Sequence, residues 1–284
     1  MLVDLHIHTY FSDGTMSPRD VVEKAKDKGV KVLSITDHNK IDSWNDFKSL
    51  ALKEGLIPIK GVEINVKHKN QVLHLLAYNF NNTPKLLELI NKADYQMQKM
   101  SDDLIINLSR HTNKVSTLDY KNYNYNPSHG GWKGLHYLFD RGVTKRLFDG
   151  FRYYKEYGCG YELYDFPTLK EVCIEIENAG GYSVLAHPGE YYKNLSKETI
   201  LDELENLRIS GIKGVECYYP THDKKMTDIC VEFCNKHDLI ITSGSDEHGE
   251  FGKEAKVLDQ TIGCMKINID SLNIDLLLSG KMLL

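Results

Sequence analysis

Histidines and carboxylates recur in short groups along this sequence: His6 with His8, Asp13 in a Ser-Asp-Gly turn, Asp37 with His38, Glu63, His74, His187, and Asp246 with His248. Alternate residues of a strand share a face, so His6 and His8 point the same way. Imidazoles and carboxylates are borderline-to-hard ligands that suit Zn, Mn or Fe, whereas an all-sulfur site would be built from cysteine. A single His-X-His is a weak signal. The same residue types returning along the chain, each time near the end of a short apolar run, predict a metal centre.

Those runs are strand-like: VDLHIH (3–8), KVLSITDH (31–38), LIPIKGVEINV (56–66), QVLHLLAYNF (71–80), YSVLAHP (182–188), KGVECYY (213–219) and DLIITSGSD (238–246). Helical patterns separate most of them, at 17–29, 43–54, 168–179, 196–209 and 223–236. Ser17 suits the cap of the first helix, Pro18 its first turn and Gly29 its end. Repeated βα units predict a parallel sheet or a β/α barrel. His6, His8, Asp37, His38, Glu63, His187, Glu216, Asp246 and His248 all fall at or just after strand ends, and barrel enzymes assemble their sites at that face.

Residues 84–166 break the alternation. A long helix is expected over 84–111, and ten of the seventeen tyrosines lie between Tyr95 and Phe166. This segment reads as an inserted helical cap subdomain, with 1–83 and 167–284 forming the catalytic barrel. Its tyrosines either pack within the cap or stack on a nucleobase.

With 35 Lys+Arg against 40 Asp+Glu the net charge is −5. That disfavours charge-driven binding to duplex nucleic acid, but leaves nucleotides and short single strands open as substrates. No stretch approaches the roughly 18–20 apolar residues that span a bilayer. The start, MLVDLHIHTYFSDG, lacks the basic and apolar regions of a signal peptide. A soluble, cytoplasmic protein without a membrane partner is expected. The six cysteines form no CxxC, and Cys230 with Cys234 suit core packing on one helix face. Residues 265–284 are apolar enough to pack on the barrel.

The motifs DLHIHTYFSDG (4–14), ITDHN (35–39), GVEIN (61–65), the histidine of HLLAY (74–78), LAHPG (185–189) and GSDEHG (244–249) together resemble those of the PHP (polymerase and histidinol phosphatase) phosphoesterases. The resemblance runs from end to end. It implies an α/β fold, a distorted (β/α)7 barrel of PHP type with an inserted helical cap. It also implies two or three divalent metal ions (Mn, Fe or Zn) in a trinuclear centre. Carried over by motif, His6, His8, Glu63 and Asp246 hold one metal; Glu63 bridges to a second, completed by His74 and His187; Asp13, His38 and His248 hold the third. The implied reaction is attack of a metal-bridging hydroxide on phosphorus, with no serine or cysteine nucleophile. Asp37 and His187 are the catalytic candidates. Asp37 either orients the imidazole of His38 or satisfies local backbone; His187 is expected as a metal ligand, with leaving-group protonation open to a metal-bound water.

Within the family the sequence is most similar to small stand-alone phosphoesterases with a cap, which act as 3′,5′-nucleotide bisphosphate phosphatases or as a 5′→3′ exonuclease. Lys133, Arg141, Lys145 and Arg146 in the cap become candidates for a second phosphate, with arginine favoured for its planar fork. Lys193 and His222 are further substrate candidates. Glu190 stands where that subgroup commonly has a basic residue, which sets the bisphosphate assignment in question. The expected activity is hydrolysis of phosphate monoesters of nucleotides or short oligonucleotides. Three alternatives remain: a histidinol-phosphatase-like enzyme for a small substrate, a non-catalytic PHP module, and a C–N hydrolase. The cap disfavours the first. Against the second stand the filled ligand positions and the lack of a polymerase-like extension. Glu63 disfavours the third, because it stands where a carboxylated lysine would bridge.

Overall fold

The computed structural model describes residues 1–254 and 260–278. Seven strands form one sheet in simple chain order: β1 (Leu2–Asp4), β2 (Val30–Ile35), β3 (Ile57–His68), β4 (Gln71–Tyr78), β5 (Tyr182–Leu185), β6 (Gly214–Tyr218) and β7 (Ile240–Ser243). Helices α1 (Pro18–Asp27) and α2 (Trp44–Lys53) follow the first two strands. The segment between β4 and β5 carries α3 (Pro84–Leu108), α4 (Thr117–Asn122), α5 (Lys133–Asp140), α6 (Phe151–Glu156) and α7 (Leu169–Asn178). Then come α8 (Pro188–Tyr192), α9 (Lys197–Ile209), α10 (Lys224–His237), α11 (Glu250–Glu254) and α12 (Asp275–Leu278).

The expectation of an all-parallel sheet fails at β4. It pairs antiparallel with β3 and with β5, whereas the other neighbours are parallel. The cause is local: only Lys69 and Asn70 join β3 to β4, with Lys69 at φ 54°. Two residues close a hairpin, whereas a parallel partner needs a crossover of about a dozen. The two edges of the sheet meet beyond the ends of β1 and β7. Leu5 N–H donates to Ser243 (2.9 Å), Asp246 N–H to His6 (2.8 Å) and His8 N–H to Glu247 (2.9 Å). The result is a distorted β/α barrel.

Strand alternation sorts the core. Val32 and Ile59 point inward to a cluster with Val3, Leu5, Leu76 and Tyr78, while Leu33 and Ile35 pack outward on α1 and α2. Ile274, Leu277 and Leu278 join the inward cluster, so the described part of the C-terminal segment packs on the barrel as expected; residues 279–284 lie outside the described residues. α1 starts with a capping box: Ser17 Oγ accepts from Asp20 N–H (3.1 Å) and the Asp20 carboxylate accepts from Ser17 N–H (2.8 Å). α3 contributes Leu86, Ile90, Ala93, Met100, Leu104 and Leu108, at spacings of one helical face, to the core cluster that also holds Val62, Ile64 and Val66 of β3. It stops at Leu108, three residues before the sequence reading. Tyr120, Tyr137 and Tyr164 are core residues here, whereas Tyr125, Tyr154 and Tyr161 line cavities. Cys217, Cys230 and Cys234 are buried free thiols, with Cys217 and Cys234 sulfurs 3.8 Å apart. Among the described residues no helix is long and apolar enough to cross a membrane.

Candidate metal centre

Glu63, near the middle of β3 and fully buried, is the hub of the site. One oxygen lies 3.2 Å from His6 Nε2, 3.2 Å from His8 Nε2 and 3.1 Å from His38 Nδ1. The other lies 3.0 Å from His74 Nδ1 and 3.1 Å from His187 Nε2. Asp246 Oδ1 approaches His8 Nε2 at 3.1 Å and His6 Nε2 at 3.3 Å, and Asp13 Oδ1 is 3.4 Å from His248 Nε2. Three ligand sets are compact enough for one cation each: His6, His8, Glu63 and Asp246; His38, Glu63 and His74; and His8, Asp13, His38 and His248. The first is the set implied by the motifs. In the other two, His38 also faces Glu63, and His8 also belongs to the set around Asp13. His187 meets the shared carboxylate from the opposite side.

The donors fit cations. His6 Nε2 and His8 Nε2 face one another at 3.1 Å, a contact that needs a proton or a cation between the lone pairs. His8 Nδ1, His38 Nδ1, Glu63 Oε2, His74 Nδ1 and His187 Nδ1 are buried without a hydrogen-bond partner, which is costly for polar groups in an interior. Burial pushes His38 down to about 3 despite Glu63 and Asp13. Burial opposes ionisation of Glu63, but His38, His6 and His74 outweigh it and hold the carboxyl well below its ordinary range. Asp13 behaves likewise, with His248 and His38 overcoming its burial. Imidazoles beside ionised carboxylates are an N/O donor set suited to Mn, Fe or Zn.

Further residues hold these ligands in place. Glu216, on β6 and fully buried, accepts from His6 Nδ1 (3.0 Å) through one oxygen and from His187 N–H (2.9 Å) through the other. The His6 bond fixes the tautomer that turns the Nε2 lone pair toward Glu63 and Asp246. Sequence reading placed Glu216 at a strand end but gave it no role; its inward position in the short run Val215-Glu216-Cys217 was the available signal. Gly244 lets β7 come close: a Cβ there would lie 2.2 Å from His6 Cβ and 2.4 Å from Glu216 Oε1. Tyr219 donates to Asp246 Oδ2 (2.8 Å), and Tyr191 accepts from His74 N–H (2.9 Å). Sequence reading missed both. His187 sits at φ 30° as it opens α8, a left-handed conformation uncommon outside glycine, which turns its ring toward Glu63.

Asp37 makes no hydrogen bond to His38. It accepts from Thr9 N–H (2.7 Å), Thr9 Oγ1 (2.8 Å), Ser12 Oγ (3.0 Å) and Ser43 Oγ (2.7 Å). It is buried and ties the loop that presents Asp13 to the start of α2. The local-satisfaction alternative describes these contacts, and a catalytic role does not.

The substrate candidates separate. Lys133, the first residue of α5, lines a cavity beside His38 and Trp132, its ammonium 4.6 Å from the Tyr120 ring centre. Arg141 follows the same helix and is turned away. Its guanidinium forks onto Asp119 (2.7 and 3.0 Å) and packs on Tyr123 and Tyr137. The eight residues of α5 span roughly 12 Å, so its two ends cannot serve one phosphate. Arg146 is paired with Asp149 at 2.6 Å, and Lys145 is exposed. Lys193 is exposed, 3.9 Å from Glu190. His222 uses both ring nitrogens internally, Nε2 accepting from Gly189 N–H (2.9 Å) and Nδ1 donating to the Cys217 carbonyl (3.0 Å), which leaves none for a substrate. Glu190 lines the metal cleft and accepts from Thr221 Oγ1 (2.5 Å).

A distorted β/α barrel with a histidine–carboxylate cluster at one end defines the class. Comparison with known proteins carries this further. The PHP domain model matches residues 4–129. The chain is 25% identical to a 5′-3′ exoribonuclease of Haemophilus influenzae over 91% of this chain and 96% of the relative. It is also 25% identical to a 3′,5′-nucleoside bisphosphate phosphatase of Chromobacterium violaceum, over 89% of this chain and 90% of that one. In structure it superposes on a protein of Bifidobacterium adolescentis described as a metal-dependent phosphoesterase, with a TM-score of 0.72 and 21% identity over 94% and 97% of the two chains. Over residues 4–129 the chain thus carries a PHP domain.

Proposed function

We propose that this protein is a metal-dependent phosphoesterase that hydrolyses phosphate monoesters of nucleotides or short oligonucleotides. The observation that carries the reading is the convergence of seven imidazole and carboxylate side chains, from His6, His8, His38, His74, His187, Asp246 and Asp13, around or next to the buried carboxylate of Glu63, at the floor of an open cleft. Divalent cations held there (Mn, Fe or Zn) supply Lewis acidity toward phosphoryl oxygens and activate water for attack at neutral pH.

The chain's own groups do the positioning. Glu216 orients His6, and Asp37 anchors the loop that carries Asp13. Tyr219 holds Asp246 in place. His187 contributes as a ligand at the shared carboxylate. Residues 84–166 act as the cover of the site: Trp132 faces His38 with ring centres 5.8 Å apart, and Phe148, Phe151 and Tyr161 wall the cleft. Lys133 is the cap cation placed to meet an anionic substrate. The names of the two curated relatives support nucleotide or RNA phosphate esters as the substrate class. Buried free thiols such as Cys217, Cys230 and Cys234 support a cytoplasmic location.

Phosphate release in Mn²⁺ tests the reading. A suitable panel holds 3′,5′-bisphosphonucleotides, 5′-mononucleotides, 5′-phosphorylated trinucleotides and histidinol phosphate. Preference for a nucleotide class is expected. Preference for histidinol phosphate, or no turnover by protein shown to contain metal, would overturn it.

A further inference from the structure

Beside the metal cleft, inside the 84–166 segment, lies a second cavity of about 470 Å³. Its walls are two thioethers, Met97 and Met100, and four rings, Trp132, Phe151, Tyr154 and Tyr161. The volume falls in the range of small-molecule sites, which are largely apolar with a few placed polar groups. Here the internal polar group is the Ser101 and Tyr154 hydroxyl pair, 2.7 Å apart. The charged lining residues, Lys155 and Glu162, are both exposed.

Two features tie this chamber to the chemistry. Phe151 and Tyr161 line both the chamber and the metal cleft. Trp132 is a wall of the chamber while its ring lies 5.8 Å from that of His38. A ligand with its phosphate on the His38 side can therefore extend past Trp132 and Phe151 without leaving enclosed space. The chamber would be hostile to a second phosphate, because its one lining cation, Lys155, is exposed and accompanied by Glu162. Four aromatic rings favour a flat π-face over an aliphatic chain.

We propose that this chamber seats the nucleobase of the substrate, stacked among Trp132, Phe151, Tyr154 and Tyr161. The inference rests on the phosphoesterase reading and deepens it: the enzyme takes nucleotides because it holds the base, not only the phosphate. Stacking tolerates different bases, since every base has a π-face, so purine and pyrimidine nucleotides are both accepted. The Ser101–Tyr154 pair offers one donor and acceptor site to the base edge.

Adenosine 5′-monophosphate and ribose 5-phosphate differ only in the base, and comparing kcat/KM for the two with Mn²⁺-loaded full-length protein tests the chamber. A preference for the nucleotide of about tenfold or more is expected from one stacked base. Met97→Trp fills the chamber and should lower that ratio about tenfold. Phe151→Ala removes a stacking face and serves if the first variant does not fold by circular dichroism. Equal efficiency on the two esters in wild type, or a ratio unchanged in the folded variants, would overturn the base chamber while leaving the phosphoesterase standing. Failure to hydrolyse either ester would count against the phosphoesterase reading. Calorimetric titration of the metal-loaded protein with the same two compounds then decides the chamber: tighter binding of the nucleotide supports it, and equal binding overturns it.

Discussion

Glu216→Gln removes one charge and changes almost no volume, which makes it a sharp probe of how the barrel sets its ligands. The two carboxylate oxygens receive different donors, His6 Nδ1–H at 3.0 Å and His187 N–H at 2.9 Å. Glutamine has one oxygen and one NH2, so one donor must face another donor in a fully buried setting. If the oxygen stays on His187, the amide donates to His6 Nδ1, which forces the proton onto Nε2 and takes away the lone pair aimed at Glu63 and Asp246. If the oxygen stays on His6, the His187 amide is unpaired. An unsatisfied buried group costs about 1–3 kcal/mol, equivalent to roughly 5- to 150-fold in an equilibrium constant. That range brackets the roughly 10–100-fold loss of metal affinity typical when an outer hydrogen-bond partner is changed. The assay is metal content per chain by elemental analysis, with the Mn²⁺ midpoint for activation and circular dichroism as a fold control. A midpoint within about twofold of wild type, in a folded variant, would refute the orienting role.

Asp13→Ala should deplete the set formed with His8, His38 and His248, and lower turnover by more than the roughly 10–100-fold expected of an outer partner; full metal content and activity would exclude a third site there. Arg141→Ala should leave the ratio of bisphosphate to monophosphate hydrolysis unchanged, because the guanidinium is bound to Asp119 away from the cleft; a selective loss on bisphosphates would show that the pair opens to bind substrate. Gly244→Ala drives a methyl into His6 and Glu216 and should cost about 1–3 kcal/mol as an overpacking change, read as a lower Tm with weakened metal binding; wild-type values of both would mean the strand moves freely. In metal-free protein, burial lowers His248 but Asp13 and Asp246 outweigh it and push it up to about 10. A raised imidazole contributes stability that is fully present below its unfolded value near 6.5 and lost as pH rises through about 10. Chelated protein should lose Tm over that window, and His248→Ala should lose less; identical profiles would remove the coupling.

Much of the barrel was legible because its signals are local. Period-two apolar runs located all seven strands, and Ser17, Pro18 and Thr168 sit at helix starts that the alternation already required. The candidate ligand residues were legible by type and spacing, although Glu63 and His74 lie within β3 and β4 rather than at their ends. Less could be read where a property depends on what lies opposite. Asp37 reads as a partner of its neighbour His38, yet its acceptor oxygens are filled by Thr9, Ser12 and Ser43. His222 reads as an available histidine, yet Gly189 and Cys217 occupy both nitrogens.

By itself, then, the sequence determined the strand count and the residue types that gather around Glu63, because these follow from side-chain chemistry and spacing along one chain. Tertiary structure alone decided that β4 runs antiparallel, that Glu63 is reached by five imidazoles from four parts of the chain, and that Glu216 braces His6 and His187. It also set Lys133 on a cavity beside His38 and turned Arg141 to Asp119. The physical reason is that hydrogen bonds and ion pairs are directional and short-ranged: His6 and Glu216 lie 210 residues apart in sequence, and only the folded barrel brings them to 3.0 Å.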